Sequence, residues 1–423
     1  MKKCYIISIL VFLVLSVLIS NNIAKSYIEK NNDLNKSSSS NKISIMLETD
    51  EAIGEYKMST ENSWPTEGYI FNAELSKCEN NSTLSWDNDK NAVIFQGRVT
   101  DKCYVYFDKY VAPSMTLVEY VLAQYTGVQG ENNIYYHTSS LTNGASDNSY
   151  RYAGSSDSVN NFVCFGTNES PCPTDNLYRI IGVFGDNYHG VSKEQLVKLI
   201  KYDYANTNLL GTNGTYNNSL NAGTAYKGSL STIYTYRWNN DASSNTWSAS
   251  LLNKTNLNTN FINNIGDMWA NKIATIAWKV GGNTVEKIRE AKSSLAYTNE
   301  LISPAASTTE SAKIGLMYVT DYYYAASSSA WTLIGFNSDL TNDYRKAISN
   351  NWMYMGWNEW AITRRSDIAN STYYAFEIHT DGSIWVMNVT NIYDAIRPSF
   401  FLYSSIMYKS GTGTMSDPII LEI

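Results

Sequence analysis

Between residues 351 and 403 the chain alternates short apolar runs with turn residues, and Asp381-Gly382 falls between two of the runs. An Asp-Gly pair flanked by alternating segments is a strong hairpin signal, because both residues tolerate the positive φ that a tight turn needs. The stretch is predicted as the central hairpin of a β-rich domain, with a loop from Trp357 to Arg365 near its binding surface. Upstream, Leu177 to Phe184 (LYRIIGVF) and Leu196 to Tyr202 (LVKLIKY) are near-continuous apolar runs, predicted as paired strands. Leu84 to Trp86 and Val93 to Phe95 flank a polar turn, and Cys103 to Phe107 is a further strand. Helical spacing appears at Val118, Val121, Leu122 and Tyr125. It is preceded by Thr116 and Glu119 in capping-box register and followed by Gly127, where a helix is expected to stop. Asn283 to Leu295 reads as a second capped helix, Lys313 to Val319 as a strand, Tyr322 to Ala326 as a short helix and Ile396 to Tyr403 as the last strand. The polar run from Asn206 to Thr232 predicts little order of its own.

The pattern changes character at the N-terminus. Lys2 and Lys3 precede an apolar run from Tyr5 to Ile19. A helix of that length spans roughly 24 Å at 1.5 Å per residue, short of a hydrocarbon core of ~30 Å. A cleaved signal peptide and a signal-anchor both fit. As an anchor, residues 4–20 would contact the membrane, and the positive-inside rule would put the rest of the chain outside. Residues 25–42 lack apolar periodicity and include a serine run, so they read as a linker. The expected organisation is α+β: residues 1–24 as signal-anchor or signal peptide, 25–42 as linker, and 43–112 as a small all-β module. A connecting helix and loop over 113–149 and a larger α+β domain over 150–423 complete it.

Composition narrows the functional class. The formal charge of −7 argues against a nucleic-acid partner, which requires a clustered cationic footprint. Only 17% of residues are charged while 33 are tyrosine, which points to an adhesive or glycan-facing surface. Cys4 precedes the apolar run. Cys78, Cys103, Cys164 and Cys172 form an even set, which outside the cytoplasm reads as a disulfide framework. Pairing 78 with 103 and 164 with 172 is the simplest of the three connectivities. A tetrahedral zinc site would want paired C-x-x-C spacing, which is absent.

Several strings are more specific than periodicity. They include SYRYAG from Ser149, NNFVCFG from Asn160, CPTDNLYRIIGVFGD from Cys172, VKLIKYDYA from Val197, KIGLMYVTDYYYAA from Lys313, the segment Asn351 to Thr363, DAIRPSFFLY from Asp394 and SGTGTMSDPIIL from Ser410. Together with WPTEGYIFNAELSKCEN from Trp64 and TDKCYVYFD from Thr100, they resemble a recurrent family of bacterial cell-surface proteins. That family has an N-terminal anchor and a disulfide-containing β module, and no activity is established for it. More distantly, the Trp-rich hairpin and the Arg397-containing last strand resemble the C-type-lectin-like fold of the formylglycine-generating-enzyme group. The resemblance implies a C-type-lectin-like scaffold for the larger domain. No cysteine follows Cys172, so it does not imply that group's thiol chemistry.

The candidate ligand-binding residues are Trp357, Asn358, Glu359, Trp360, Arg364, Arg365 and Tyr373, with Asp367 beside them. Indole faces stack on the C–H faces of sugar rings, while amide, carboxylate and guanidinium groups bond to hydroxyls. Asn358-Glu359 loosely resembles a calcium-ligating lectin motif, but its companion string is absent, so no metal and no cofactor are expected. His379 reads as an exposed turn residue, and no nucleophile–base motif occurs. The function expected is a cell-surface ligand-binding or adhesion protein without catalysis, taking an extracellular glycan or protein. The alternatives are a cell-envelope hydrolase using carboxylates such as Glu359 and Glu377, and a structural envelope protein.

Overall fold

The computed structural model describes residues 43–50, 54–65, 68–87, 90–98, 100–109, 115–366 and 373–422. The expected membrane segment, the linker and Asp367 lie outside the described residues. Among those described, no helix is long and apolar enough to cross a membrane. The chain divides between residues 113 and 114 into two compact units.

The first unit is built from β1 (Ile43–Glu48), β2 (Tyr56–Met58), β3 (Tyr69–Cys78), β4 (Thr83–Asp87), β5 (Ala92–Gln96) and β6 (Cys103–Lys109). Four strands form a sheet in the order β2-β1-β6-β3, with β1 parallel to β6, and β4 and β5 form a separate hairpin. The core is small. Ile45, Val105 and Phe107 are buried, and Trp64, Phe71 and Trp86 pack around Phe107 at centroid distances of 5.6–6.0 Å. Cys78 and Cys103 stand opposite each other on β3 and β6 and are joined by a disulfide. So little apolar surface benefits from a covalent staple.

The second unit opens with β7 (Met115–Thr116) and α1 (Leu117–Ala123). Thr116 Oγ1 accepts from the Glu119 amide at 3.1 Å, and the Glu119 carboxylate accepts from the Thr116 amide at 2.8 Å. The helix ends at Ala123, sooner than Gly127 suggests. It buries Leu117, Val118, Tyr120 and Val121 in the core of this unit, so the segment expected to connect two domains is part of the larger one.

The central sheet uses β8 (Ile134–Tyr136), β9 (Tyr150–Tyr152), β10 (Phe162–Cys164), β11 (Leu177–Phe184) and β12 (Leu196–Lys201). After β13 (Tyr216–Asn221), β14 (Thr232–Tyr236), β15 (Ile276–Lys279) and β16 (Thr309–Ala312) come its remaining members, β17 (Ile314–Gly315) and β21 (Ser399–Leu402). The order is β17-β21-β12-β11-β9-β8, with β10 also on β11. Every residue of β11 and β12 is buried, since both faces of the sheet are covered. That explains their continuous apolar reading, and it also takes Arg179, Lys198 and Lys201 inside. A smaller sheet joins β18 (Glu359–Arg364), β19 (Tyr374–Ile378) and β20 (Ile384–Asn388). Finally β22 (Met407–Ser410) pairs with both β23 (Ile420–Glu422) and β7, bringing the two ends of the unit together. A second disulfide links Cys164 to Cys172.

Three expectations are corrected. The polar run 206–232 is ordered, because β13 pairs with β14 and Asn256 supplies partners that backbone would otherwise lack. Its Oδ1 accepts from the Thr215 amide at 3.0 Å, and its Nδ2 donates to Leu210 and Asn213 carbonyls at 2.8 and 3.1 Å. Asn283 to Leu295 is two short helices, Val285–Ile288 and Ser293–Tyr297, and Asn283 donates inward to the Asn299 carbonyl. The tyrosines are not chiefly a surface feature. Helix α2 (Val319–Ala325) is buried all round, and its Tyr322, Tyr323 and Tyr324 hydroxyls donate to carbonyls of Gly382, Ile288 and Asn143.

Candidate ligand-binding surface

The segment from Trp357 to Arg365 is largely strand β18 and not a loop, and this decides where the candidate residues point. Trp360 is fully buried, with its indole N–H donating to the Tyr236 carbonyl at 2.9 Å. Glu359 is equally interior. Arg397 grips both its carboxylate oxygens at 2.8 Å and donates to the Met353 carbonyl at 2.7 Å. Burial pushes the Glu359 carboxyl up, against the opposing pull of that guanidinium. Glu359 and Trp360 therefore lie inside the scaffold, bonded to Arg397 and to the Tyr236 carbonyl, and do not reach its surface.

The remaining candidates separate to the two ends of β18. Trp357 and Asn358 precede it. Trp357 is half-buried, donates to the Tyr393 carbonyl at 3.0 Å and packs beside Tyr204 and Met355, while Asn358 Oδ1 accepts from the Thr380 amide. Arg364, Arg365 and Tyr373 lie at the far end. Arg364 is spent on Val280 and Asn245, and Arg365 lies over the Tyr374 ring, whose neighbour is Tyr373 at 4.5 Å. At ~3.3 Å per residue, a six-residue strand keeps the two groups apart.

The hairpin itself builds a different cluster. The last pair of β19 and β20 is Ile378 with Ile384, so the turn spans residues 379–383, longer than a two-residue Asp-Gly turn. Gly382 takes φ +83°, and a Cβ there would come 2.2 Å from Ile348. Asp381 closes the turn by accepting from the Ser383 amide and hydroxyl, and it also contacts His379 Nδ1 at 3.0 Å. That contact raises the His379 pKa above the ordinary value.

His379 lies against Trp385 at 5.2 Å, and Trp385 meets Phe336 edge-on at 5.4 Å. The guanidiniums of Arg289 and Arg345 stand 5.1 and 5.0 Å from the Phe336 ring. Arg345 is held rigidly by Asp343, at 2.7 Å from Nε and 2.8 Å from Nη2. Phe336, Trp385, His379 and Arg345 are all half-buried, so aromatic faces and fixed charged edges reach solvent together. The sequence hides this cluster. Trp385 sits in an unbroken apolar run, and Phe336, in a loop, and Arg345, in the 3-10 helix Tyr344–Asn350, lie some forty to fifty residues upstream of it.

Glu377, imagined as a hydrolytic partner for Glu359, is 1% exposed and packs against the buried Asp394. Asn391 Nδ2 bonds Asp394 at 2.6 Å, and burial with the Glu377 carboxylate beside it drives the Asp394 carboxyl far up. Glu359 and Glu377 are both buried, each spent on an interior partner. Among the described residues, no group of three or more His, Cys, Asp or Glu is placed to hold a metal ion.

No family model matches the chain, and neither a curated protein nor a solved structure shows detectable similarity to it.

Proposed function

We propose that this is an extracellular, membrane-anchored ligand-binding or adhesion protein, non-catalytic, whose larger unit is a C-type-lectin-like scaffold offering a glycan-binding surface around Trp385. The observation that carries the reading is the half-buried cluster of Trp385, Phe336 and His379 edged by Arg345 and Arg289. Aromatic rings offer contact area at little entropic cost, and charged edges already fixed by neighbours bond hydroxyls without further ordering. Two disulfides agree with an oxidising, exported setting. The scaffold reading draws support from the pairing of the unit's first strand with β22 near its end.

The test is a glycan array probed with the full-length chain and with Trp385→Ala. Loss of a binding-centre aromatic costs about 2 kcal/mol or more, roughly thirtyfold in affinity. Trp357→Ala, at the edge of a separate cluster, should change binding less than about threefold. Binding that survives Trp385→Ala overturns the site, and no binding to any glycan overturns the ligand class. A structural envelope role is the second reading, favoured by the burial of Trp360 and Glu359 that sequence alone placed on the surface.

A further inference from the structure

Strand register lines up Phe401, Lys198, Gly182 and Arg151 as directly opposed residues across β21, β12, β11 and β9. Opposed residues share a face of the sheet, and Gly182 has no side chain between the two cations. Asp321 of α2 descends into that gap. Its Oδ2 lies 2.6 Å from Lys198 Nζ, and its Oδ1 lies 3.7 Å from Arg151 Nη1. The Tyr188 hydroxyl touches both reacting groups, donating to Oδ1 at 2.8 Å and accepting from Nζ at 3.1 Å. Lys198 and Asp321 side chains are both 0% exposed. The rings of Phe184, Tyr188, Trp278, Tyr318 and Phe401 surround Nζ at 4.4–6.0 Å.

We propose that Lys198 and Asp321 condense into an intramolecular amide, covalently tying strand β12 to helix α2. A proton passes from the Lys198 ammonium to the Asp321 carboxylate it touches, and the resulting amine attacks Cγ. The Nζ–Cγ bond forms and the Cγ–Oδ2 bond breaks. Oδ2 leaves as water, carrying the carboxyl proton and one amine proton, and the second amine proton remains on the amide nitrogen. No oxidant or co-reactant is needed.

Each part of the cage serves that step. Amine and carboxyl are held in contact, which replaces a bimolecular encounter. Solvent, whose excess opposes condensation, is excluded by the rings. Burial draws the Lys198 pKa below the ordinary amine value, populating the nucleophilic form. Negative charge develops on Oδ1 in the tetrahedral intermediate. There the Tyr188 hydroxyl already donates, and Arg151 Nη1, a buried donor with no hydrogen-bond partner, lies close by.

Charge bookkeeping agrees. Arg151 has its own carboxylate in Asp147 at 2.6 Å, so losing the Lys198 and Asp321 charges together leaves Arg151 paired. It also removes two buried ions that are costly to desolvate.

The experiment is mass spectrometry of the full-length chain, reduced and denatured, beside Lys198→Arg prepared identically so that leader processing cancels. The wild type should be lighter than its sequence requires by one water, relative to the variant. Its tryptic digest should hold the Lys198 peptide joined to the Asp321 peptide, a species missing from Lys198→Arg and Asp321→Ala. Equal accounting for wild type and variant, with the two peptides unlinked in protein whose disulfides have formed, overturns the proposal. Tyr188→Phe should slow linkage at least tenfold in protein sampled soon after synthesis, and unchanged linkage removes Tyr188 from the reaction.

Discussion

Replacing Arg397 by methionine tests whether the Glu359–Arg397 pair holds the larger unit together. The guanidinium makes three charge-assisted hydrogen bonds of 2.7–2.8 Å, two to Glu359 and one to the Met353 carbonyl, and both side chains are 1–2% exposed. Removing it leaves the Glu359 carboxylate buried without its cation, which costs about 3–5 kcal/mol. At roughly 2–4 °C per kcal/mol for a unit of this size, the melting temperature should fall by about 10 °C. The informative comparison is a double-mutant cycle. Glu359→Leu with Arg397→Met removes both charges and fills similar volume, so it should lie within about 2 kcal/mol of wild type. Urea unfolding of the full chain, followed by near-ultraviolet circular dichroism, reads all four corners. A cost below about 1 kcal/mol for Arg397→Met alone, or single costs that simply add, would refute the reasoning.

The buried acid pair predicts a pH dependence. Asp394 has a folded pKa raised above its unfolded value, so the native state keeps a proton the unfolded chain releases, and stability falls as pH rises from about 4 towards the folded pKa. Asp394→Asn should flatten that slope between pH 5 and pH 8 in urea titrations, and an unchanged slope would assign it elsewhere. In the first unit, the Cys78–Cys103 bridge closes a separation of 25 residues. Cys78→Ala with Cys103→Ala should cost that unit about 3 kcal/mol by loss of chain constraint. Limited proteolysis should then cut within residues 43–109 first, and equal resistance with and without the bridge would show the sheet stands alone.

Much of the framework was legible because it rests on local rules. The capping box at Thr116 and Glu119, the apolar runs of β11 and β12, the hairpin around Asp381-Gly382 and the two short-range disulfides all follow from residues near one another in sequence. What tertiary structure alone decided is which polar and aromatic groups go inside. Glu359 is interior because Arg397, 38 residues away, meets it there, and Lys198 because Asp321 arrives from 123 residues away. Strands covered on both faces lose the alternation that would have separated inward from outward positions. A buried charge in such a strand has the same local sequence as an exposed one, since its partner is fixed by how distant segments pack. Trp360 and Trp385 show the same dependence. They share one small sheet, yet only Trp360 lies beneath the Tyr236 strand while Trp385 reaches solvent beside Phe336.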